Sequence, residues 1–132
     1  MIGLDTNVVL RYLAQDEPRQ SKAARDLIDN ELTRDEPGYI AAISLAEIVW
    51  VLKRLYGASR HEIADSVEGL LSAPTIVVEH RGLLRQAVQD FRGTTAEFSD
   101  CMIACINANA GCDVTVTFDR AAAKLARFKL LS

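Results

Sequence analysis

The first thirteen residues, MIGLDTNVVLRYL at positions 1–13, place a short apolar segment directly in front of a helical pattern. Residues 1–4 are short and apolar, as in a buried strand. The apolar residues that follow recur at the spacing of one helical face, namely Val8, Val9, Tyr12 and Leu13. Because a strand that leads at once into a helix begins a parallel crossover unit, this stretch predicts an α/β fold.

The alternation of strand-like and helix-like segments continues to the end of the chain. Strands are predicted at residues 1–4, 39–43, 75–78, 114–118 and 128–131. Helices are predicted from about residue 8 and over residues 18–30, 44–55, 59–73, 81–92, 99–110 and 120–126. This order predicts a three-layer α/β/α sandwich with a central, mainly parallel sheet of four or five strands. The length of 132 residues fits a single domain over residues 1–132.

Two of the helices carry the start signal called a capping box. Ser44 with Glu47 and Ser59 with Glu62 have the Ser-x-x-Glu spacing at which two side chains bind free backbone N–H groups. We therefore expect both serines to be helix N-caps.

The composition is that of a soluble globular protein, with 49% hydrophobic and 25% charged residues. No apolar stretch approaches a membrane span, and the N-terminal segment lacks the basic region of a signal peptide. We therefore expect no targeting segment, no membrane association and a cytoplasmic location.

The net charge of −3 lacks the basic excess of many nucleic-acid enzymes. Because acids gathered around a metal ion would leave the remaining surface more basic, net charge does not discriminate between these classes.

The chain contains three cysteines and two histidines. An odd number of cysteines without a secretory signal argues against a disulfide framework, so we expect Cys101, Cys105 and Cys112 to be buried reduced thiols. His61 and His80 stand near predicted helix starts, which favours solvated or capping roles. Neither a zinc site nor a Ser–His–Asp or Cys–His catalytic arrangement is indicated.

Four acidic residues stand at corresponding places in the α/β pattern. Asp5 and Asp119 follow predicted strands. Glu47 and Asp100 lie in the first turns of predicted helices. Because ligands bind parallel sheets at the carboxyl ends of the strands, we expect the four carboxylates to converge at that edge. Taken singly, each acid also has an ordinary explanation as a helix cap or as a partner of a helix dipole.

Clustered carboxylates repel one another unless a cation lies between them. A site built only of oxygen ligands favours a hard ion, Mg²⁺ or alternatively Mn²⁺. Such an ion suits phosphodiester hydrolysis, because it lowers the pKa of a water molecule and stabilises charge on the phosphate. The four acids therefore predict a metal-dependent enzyme that cleaves phosphodiesters.

Four segments of the chain resemble, in this order, the motifs of PIN-domain nucleases. They are M-I-G-L-D-T-N-V at residues 1–8, A-E-I at 46–48, E-F-S-D at 97–100 and T-F-D at 117–119. The resemblance covers essentially the whole chain and is closest to VapC-type toxins of bacterial toxin–antitoxin pairs. It implies a PIN fold, Mg²⁺-dependent endoribonuclease activity on RNA and inhibition by a VapB-type antitoxin.

Carried over position by position, the resemblance implies that Asp5, Glu47, Asp100 and Asp119 form the catalytic quartet. Asp5 and Asp100 would contact the metal ion directly. Glu47 would bind the ion or orient its water, and Asp119 would act from farther out, through a second ion or a water.

Three further residues are candidates for an outer role at this site. Glu97 stands where many relatives carry Asp, so its charge is kept but its reach is longer. Asn7 and Thr117 could hydrogen-bond ligands or phosphate. Ordinary structural roles, in capping a helix or occupying a position within a strand, explain both residues equally well.

Substrate and partner surfaces are less clearly indicated. Three basic residues near the predicted edge could hold a phosphate backbone: Arg11, Arg120 and Lys124. Three aromatic residues lie in predicted helices, which favours core or interface positions over base stacking: Tyr12, Trp50 and Tyr56. The resemblance implies that an apolar helix face left over from the core binds an antitoxin helix or a second copy of the chain, as a homodimer.

Three alternatives to a toxin remain. An RNA-processing PIN nuclease would have the same site without an antitoxin. A receiver-type signalling domain has a similar length and Mg²⁺ bound by acids, but it needs an acidic pair after the first strand and a late lysine. Here the first strand ends in the single acid Asp5 and that lysine is missing. A non-catalytic PIN-like binding module would not need the complete quartet.

Overall fold

A computed structural model describes all residues from Met1 to Ser132. The backbone divides into two compact units, Met1–Glu79 and His80–Ser132, which are described in turn. The first contains strands β1 (Ile2–Gly3), β2 (Gly38–Ile40) and β3 (Ile76–Val78), and helices α1 (Thr6–Ala14), α2 (Pro18–Arg25), α3 (Ala42–Arg54) and α4 (Arg60–Ser72), with a π-helical segment at Asp26–Glu31. The second contains helices α5 (Arg81–Gly93) and α6 (Phe98–Asn109), strands β4 (Thr115–Thr117) and β5 (Phe128–Leu130), and a 3-10 turn at Ala122–Lys124.

The three strands of the first unit form a parallel sheet in the order β1-β2-β3. Gly38 of the middle strand pairs with Ile2 on one side and with Ile76 on the other. A Cβ atom at Gly38 would lie 2.8 Å from the Cδ1 atoms of both Leu4 and Leu32. Because both leucines are buried, a side chain at this point would force them to shift, which favours glycine in the middle strand.

Helix α3 supplies much of the core of the first unit. It contacts both α1 and α4, and its Leu45 and Ile48 are fully buried. Full burial of such a side chain contributes about 1.5–3 kcal/mol relative to exposure, so these residues fix which way the helix faces. The opposite face is left to solvent and carries Ile43, Glu47, Trp50 and Arg54.

Helix α3 begins two residues earlier than predicted. Its N-cap is Ala41, which has no side chain that could cap the helix. The predicted capping box of Ser44 and Glu47 is therefore wrong. The N–H of Ala42 instead donates to Oε1 of Glu79 at 2.8 Å. Because the acceptor comes from a residue 37 positions away, no local pattern could reveal it. The shift places Glu47 in the second turn of the helix rather than the first.

The second predicted capping box is confirmed. Oγ of Ser59 accepts from the N–H of Glu62 at 3.1 Å, and Oε1 of Glu62 accepts from the N–H of Ser59 at 2.9 Å. Pro18 stands in the first turn of α2, as its missing N–H favours.

The second unit is built around the packing of α5 on α6. The rings of Phe91 and Phe98 meet edge to face, with centroids 5.6 Å apart and an angle of 87°. Strands β4 and β5 pair in parallel, and Nδ2 of Asn107 in α6 donates to Oγ1 of Thr115 in β4 at 3.0 Å. This side-chain bond ties the strand pair to the helix.

The cysteines are all reduced, but only two of them are buried. Cys101 and Cys105 lie on the inner face of α6, as predicted. Cys112 is exposed, so the prediction of a buried thiol is wrong there. It follows Gly111, whose φ of 104° turns the chain outward after the helix.

The α/β class and the parallel pairing of the strands are confirmed. Hydrogen bonds join the strands into a three-stranded and a two-stranded sheet, where one sheet of four or five strands was predicted. Local apolar patterns locate strands, but pairing depends on contacts between distant segments.

The predicted helix at residues 120–126 is only a 3-10 turn at Ala122–Lys124. No helix of this chain combines the length and the apolar character that crossing a membrane requires.

Candidate functional site

The first unit holds two of the predicted acids in one open cleft of about 570 Å³. The cleft lies between the start of α1 and the middle of α3. Its lining consists of Asp5, Thr6, Asn7, Glu47, Trp50 and Val51. Two of the four predicted catalytic residues and one outer candidate, Asn7, therefore share a surface that is open to solvent.

Asp5 occupies the N-cap position of α1, but its carboxylate does not cap the helix. Its backbone carbonyl accepts from the N–H groups of Val8 at 3.1 Å and Val9 at 3.3 Å. The side chain makes no capping hydrogen bond and is exposed. The ordinary explanation of Asp5 as a side-chain cap is thus excluded, and the residue lines the open cleft instead.

Glu47 is held in the same cleft by Thr6. Oγ1 of Thr6 donates to Oε1 of Glu47 at 2.9 Å. Thr6 is buried at 9% exposure, so its hydroxyl is fixed by packing, whereas Glu47 is exposed. The bond orients one carboxylate oxygen of Glu47 and leaves the other oxygen available to water or to a ligand.

The second unit brings the other acids together around the first turn of α6. Asp100 is half-buried, and its N–H donates to the carbonyl of Glu97 at 3.1 Å. Burial raises the pKa of the Asp100 carboxyl, and the negative charges of Asp119 and Glu97 raise it further. The three carboxylates of Glu97, Asp100 and Asp119 therefore repel one another at this point.

Asp119 serves as a local cap as well as a neighbour of Asp100. Its Oδ1 accepts from the N–H groups of Ala121 at 2.8 Å and Ala122 at 3.2 Å. Its own N–H donates to Oγ1 of Thr117 at 3.0 Å. Thr117 therefore holds the turn that carries Asp119, and the capping bonds take up one carboxylate oxygen.

The structure thus presents the quartet as two pairs, Asp5 with Glu47 in the first unit and Asp100 with Asp119 in the second. No group of three or more Asp, Glu, His or Cys residues is close enough to hold a metal ion by itself. Convergence of all four carboxylates stays a prediction. Each pair offers only oxygen donors, which are the ligands that a hard divalent cation prefers.

Two basic residues predicted to hold phosphate have other surroundings. Arg11 donates from Nε to Gln20 at 2.7 Å and forms an ion pair with Asp16 at 3.3 Å. Lys124 lines a separate cavity of about 720 Å³ in the second unit, together with Cys105. Arg120 is exposed and follows Asp119 directly in the chain, and a phosphate-holding role for it stays a prediction.

Sequence reasoning missed the roles of Thr6 and Trp50. Thr6 was part of the opening motif, but nothing in the sequence showed that its hydroxyl reaches Glu47 across 41 positions. Trp50 was expected in the core or an interface, yet it is 58% exposed and lines the cleft. The available signal was its spacing: Trp50 lies three residues after Glu47, which places both on one face of a helix.

Comparison with known proteins covers nearly the whole chain. Residues 2–128 match the sequence profile of the PIN domain family. No protein of curated function matches the chain.

Proposed function

Because this chain belongs to the PIN-domain family, whose members are typically metal-dependent nucleases, we propose that it is a Mg²⁺-dependent endoribonuclease. We propose further that it is the toxin of a VapBC-type toxin–antitoxin pair and acts in the cytoplasm. Its substrate is RNA, and it hydrolyses phosphodiester bonds within the strand.

The electrostatics around Asp100 carry this proposal. Burial and the charges of Asp119 and Glu97 raise the pKa of its carboxyl, so the fully ionised group of acids is unfavourable in the metal-free protein. A divalent cation offsets that cost, and its attraction to RNA phosphates would reverse the repulsion of the substrate by the acids. Mn²⁺ has the same ligand preference and is expected to replace Mg²⁺.

The four acids have different roles at the proposed site. Asp5 and Asp100 would hold the ion, as the family resemblance implies, and the Asp5 carboxylate makes no helix-capping hydrogen bond that would compete with this role. Glu47, oriented by Thr6, would bind the ion or orient the attacking water. Asp119, which already accepts two backbone N–H groups, would act from farther out.

Chemistry at the phosphate requires an activated water and a stabilised leaving oxygen. When bound, Mg²⁺ supplies a water of lowered pKa and neutralises charge on the phosphate. Glu47, whose Oε1 accepts from Thr6, would accept a hydrogen bond from such a water, and Arg120, which is exposed and follows Asp119 in the chain, would bind a neighbouring phosphate. Asn7 lines the cleft with Asp5 and can donate its amide to a phosphate oxygen.

An apolar groove in the first unit supports the antitoxin part of the proposal. Helices α1 and α2 border a groove of about 330 Å³. Its lining consists of Asn7, Val8, Arg11, Gln20, Ala23, Ala24 and Leu27. An amphipathic helix of a VapB-type antitoxin would bury such a groove. We also propose, from the family resemblance, that the toxin is a homodimer.

The nuclease proposal is tested by cleavage of a mixed RNA with Mg²⁺, Mn²⁺ or excess chelator. Asp5→Asn and Asp100→Asn are expected to abolish cleavage while the proteins stay folded by circular dichroism, because each change removes charge and keeps size. Asp35→Asn and Asp113→Asn remove exposed acids outside the site and serve as matched controls. Full activity of Asp5→Asn, or cleavage in excess chelator, would reject the mechanism.

A growth assay separates the toxin from its alternatives. Induced expression should arrest bacterial growth, Asp100→Asn should not, and co-expression of the short DNA-binding protein encoded next to the gene should restore growth. Cleavage of RNA without growth arrest would instead identify an RNA-processing nuclease. The receiver-type signalling alternative has no support in the match to the PIN family.

A further inference from the structure

The only tryptophan of the chain lies beside the acids of the first unit. Trp50 lines the same cleft as Asp5 and Glu47 and is 58% exposed. Tryptophan is on average a highly buried residue, and α3 already covers the core with Leu45 and Ile48. Core packing therefore does not account for the exposed indole ring.

The solvent face of α3 carries three different chemical groups in a row. Glu47, Trp50 and Arg54 are separated by three and four residues, and all are exposed, so they lie along one face of the helix. At the rise of a helix, the Cα atoms of Glu47 and Trp50 are offset by about 4.5 Å along the axis, and those of Trp50 and Arg54 by about 6 Å. An acid, a flat ring and a cation thus follow one another.

Single-stranded RNA matches this order, because it alternates phosphates with unpaired bases. We propose that Trp50 is a substrate-positioning residue that stacks on an unpaired base of the RNA. This inference rests on the proposed ribonuclease function: the phosphate to be cleaved lies at Glu47, and Arg54 binds a phosphate on the other side of the stacked base. Aromatic stacking accepts every base, since each has a π face, so Trp50 selects unpaired RNA rather than a sequence.

An interface with another protein fits this face less well. Interface centres are depleted of charged residues, whereas Trp50 stands between Glu47 and Arg54. Ile43 is also exposed, at 74%, but Glu47 lies between it and the indole. Within the lining of the cleft, the indole of Trp50 is the one exposed large apolar side chain.

Fluorescence gives a direct test, because the emission of this protein comes from one tryptophan. The Asp100→Asn protein is used, since it keeps the cleft of the first unit intact while cleavage is blocked. A single-stranded oligoribonucleotide should quench the emission, whereas a strand with abasic sites and a fully paired duplex should quench it far less. Equal quenching by the abasic strand would overturn the stacking role.

Kinetics with the Mg²⁺-loaded protein give an independent readout. Trp50→Ala should raise KM for a single-stranded substrate by about 5- to 150-fold, the range expected for loss of one stacked base. Its kcat should stay within about twofold, because binding rather than chemistry is lost. Trp50→Phe should recover most of the affinity. Leu55→Ala is the control, since Leu55 is 72% exposed at the end of the same helix and does not line the cleft.

The outcomes distinguish this inference from the proposed function. Cleavage with an unchanged KM in Trp50→Ala would reject the stacking role alone. A Trp50→Ala protein that keeps its KM but dimerises less would overturn it in favour of an interface. Quenching by single-stranded RNA in a wild-type protein that cleaves nothing would support the stacking surface and reject the nuclease.

Discussion

The hydroxyl of Thr6 donates a hydrogen bond of 2.9 Å to Oε1 of Glu47. The bond joins the first residue of α1 to the second turn of α3 and runs along the cleft that also contains Asp5. A buried, packed donor thus sets the direction of an exposed carboxylate. Pre-organisation of this kind is what a carboxylate needs if it is to orient a metal ion or a water.

Thr6→Val keeps the shape of the side chain and removes the hydroxyl. We expect cleavage to fall by about tenfold, since one hydrogen bond to a charged group is worth about 1.5–3 kcal/mol at most and only part of it is used in orientation. The free energy of unfolding in urea should fall by about 1 kcal/mol.

Thr6→Ser retains the donor and is the control for that change. It should keep most of the cleavage rate. A Thr6→Val protein as active as the wild type would show that Glu47 needs no orientation.

Asp100→Asn should separate the stability of the site from its activity. Because Asp100 is only partly buried, relief of its repulsion by Asp119 and Glu97 should stabilise the metal-free protein by no more than about 1 kcal/mol. Mg²⁺ at a hundred times its Kd should stabilise the wild type by about 2.7 kcal/mol and the variant much less. Thermal unfolding with Mg²⁺ and with chelator measures both effects, and equal stabilisation of the two proteins would contradict a role for Asp100 in metal binding.

The three thiols should differ in their rates of alkylation. Burial raises the pKa of the Cys105 thiol, and the charge of Asp90, whose Oδ2 lies 3.8 Å from the sulfur, raises it further. At a given pH the native protein therefore carries less thiolate at Cys105 than a free cysteine would, and Cys105 is also buried whereas Cys112 is exposed.

Mass spectrometry after brief maleimide treatment at several pH values would measure these rates. Native protein should take one label, at Cys112, and Cys112→Ser should take almost none. Asp90→Asn should bring the onset of labelling at Cys105 to lower pH. Equal labelling of all three thiols would contradict the packing of α6.

Two glycine substitutions should have opposite effects on stability. Gly38→Ala places a Cβ 2.8 Å from Leu4 and Leu32, and because both leucines are buried the overpacking should cost about 1–3 kcal/mol. Gly69→Ala lies within α4 with no atom within 4 Å of the new Cβ and should stabilise by about 0.5–1 kcal/mol. Urea denaturation compares the two, and a Gly38→Ala protein of unchanged stability would show that the leucines can move aside.

Much of the fold can be read from the sequence because its signals are local. The capping box of Ser59 and Glu62 lies within four residues and is confirmed, and strands and helices appear in the predicted order. The start of α3 could not be read, because its first N–H is bound by Glu79 from the end of β3. The parallel pairing was predicted, but the division of the strands into a three-stranded and a two-stranded sheet was not, because it depends on contacts between distant segments.

The sequence by itself determined the α/β class, the family and the identity of the candidate acids, because these follow from residue types in a fixed order. Tertiary structure alone decided the hydrogen bonds of the acids. Glu47 accepts from Thr6, Asp119 caps the turn that follows it, and the carboxylate of Asp5 caps no helix. It also decided that Trp50 faces solvent, because burial depends on which helix face the core takes. Apolar spacing shows that a helix has a buried side, but only packing shows what is left outside.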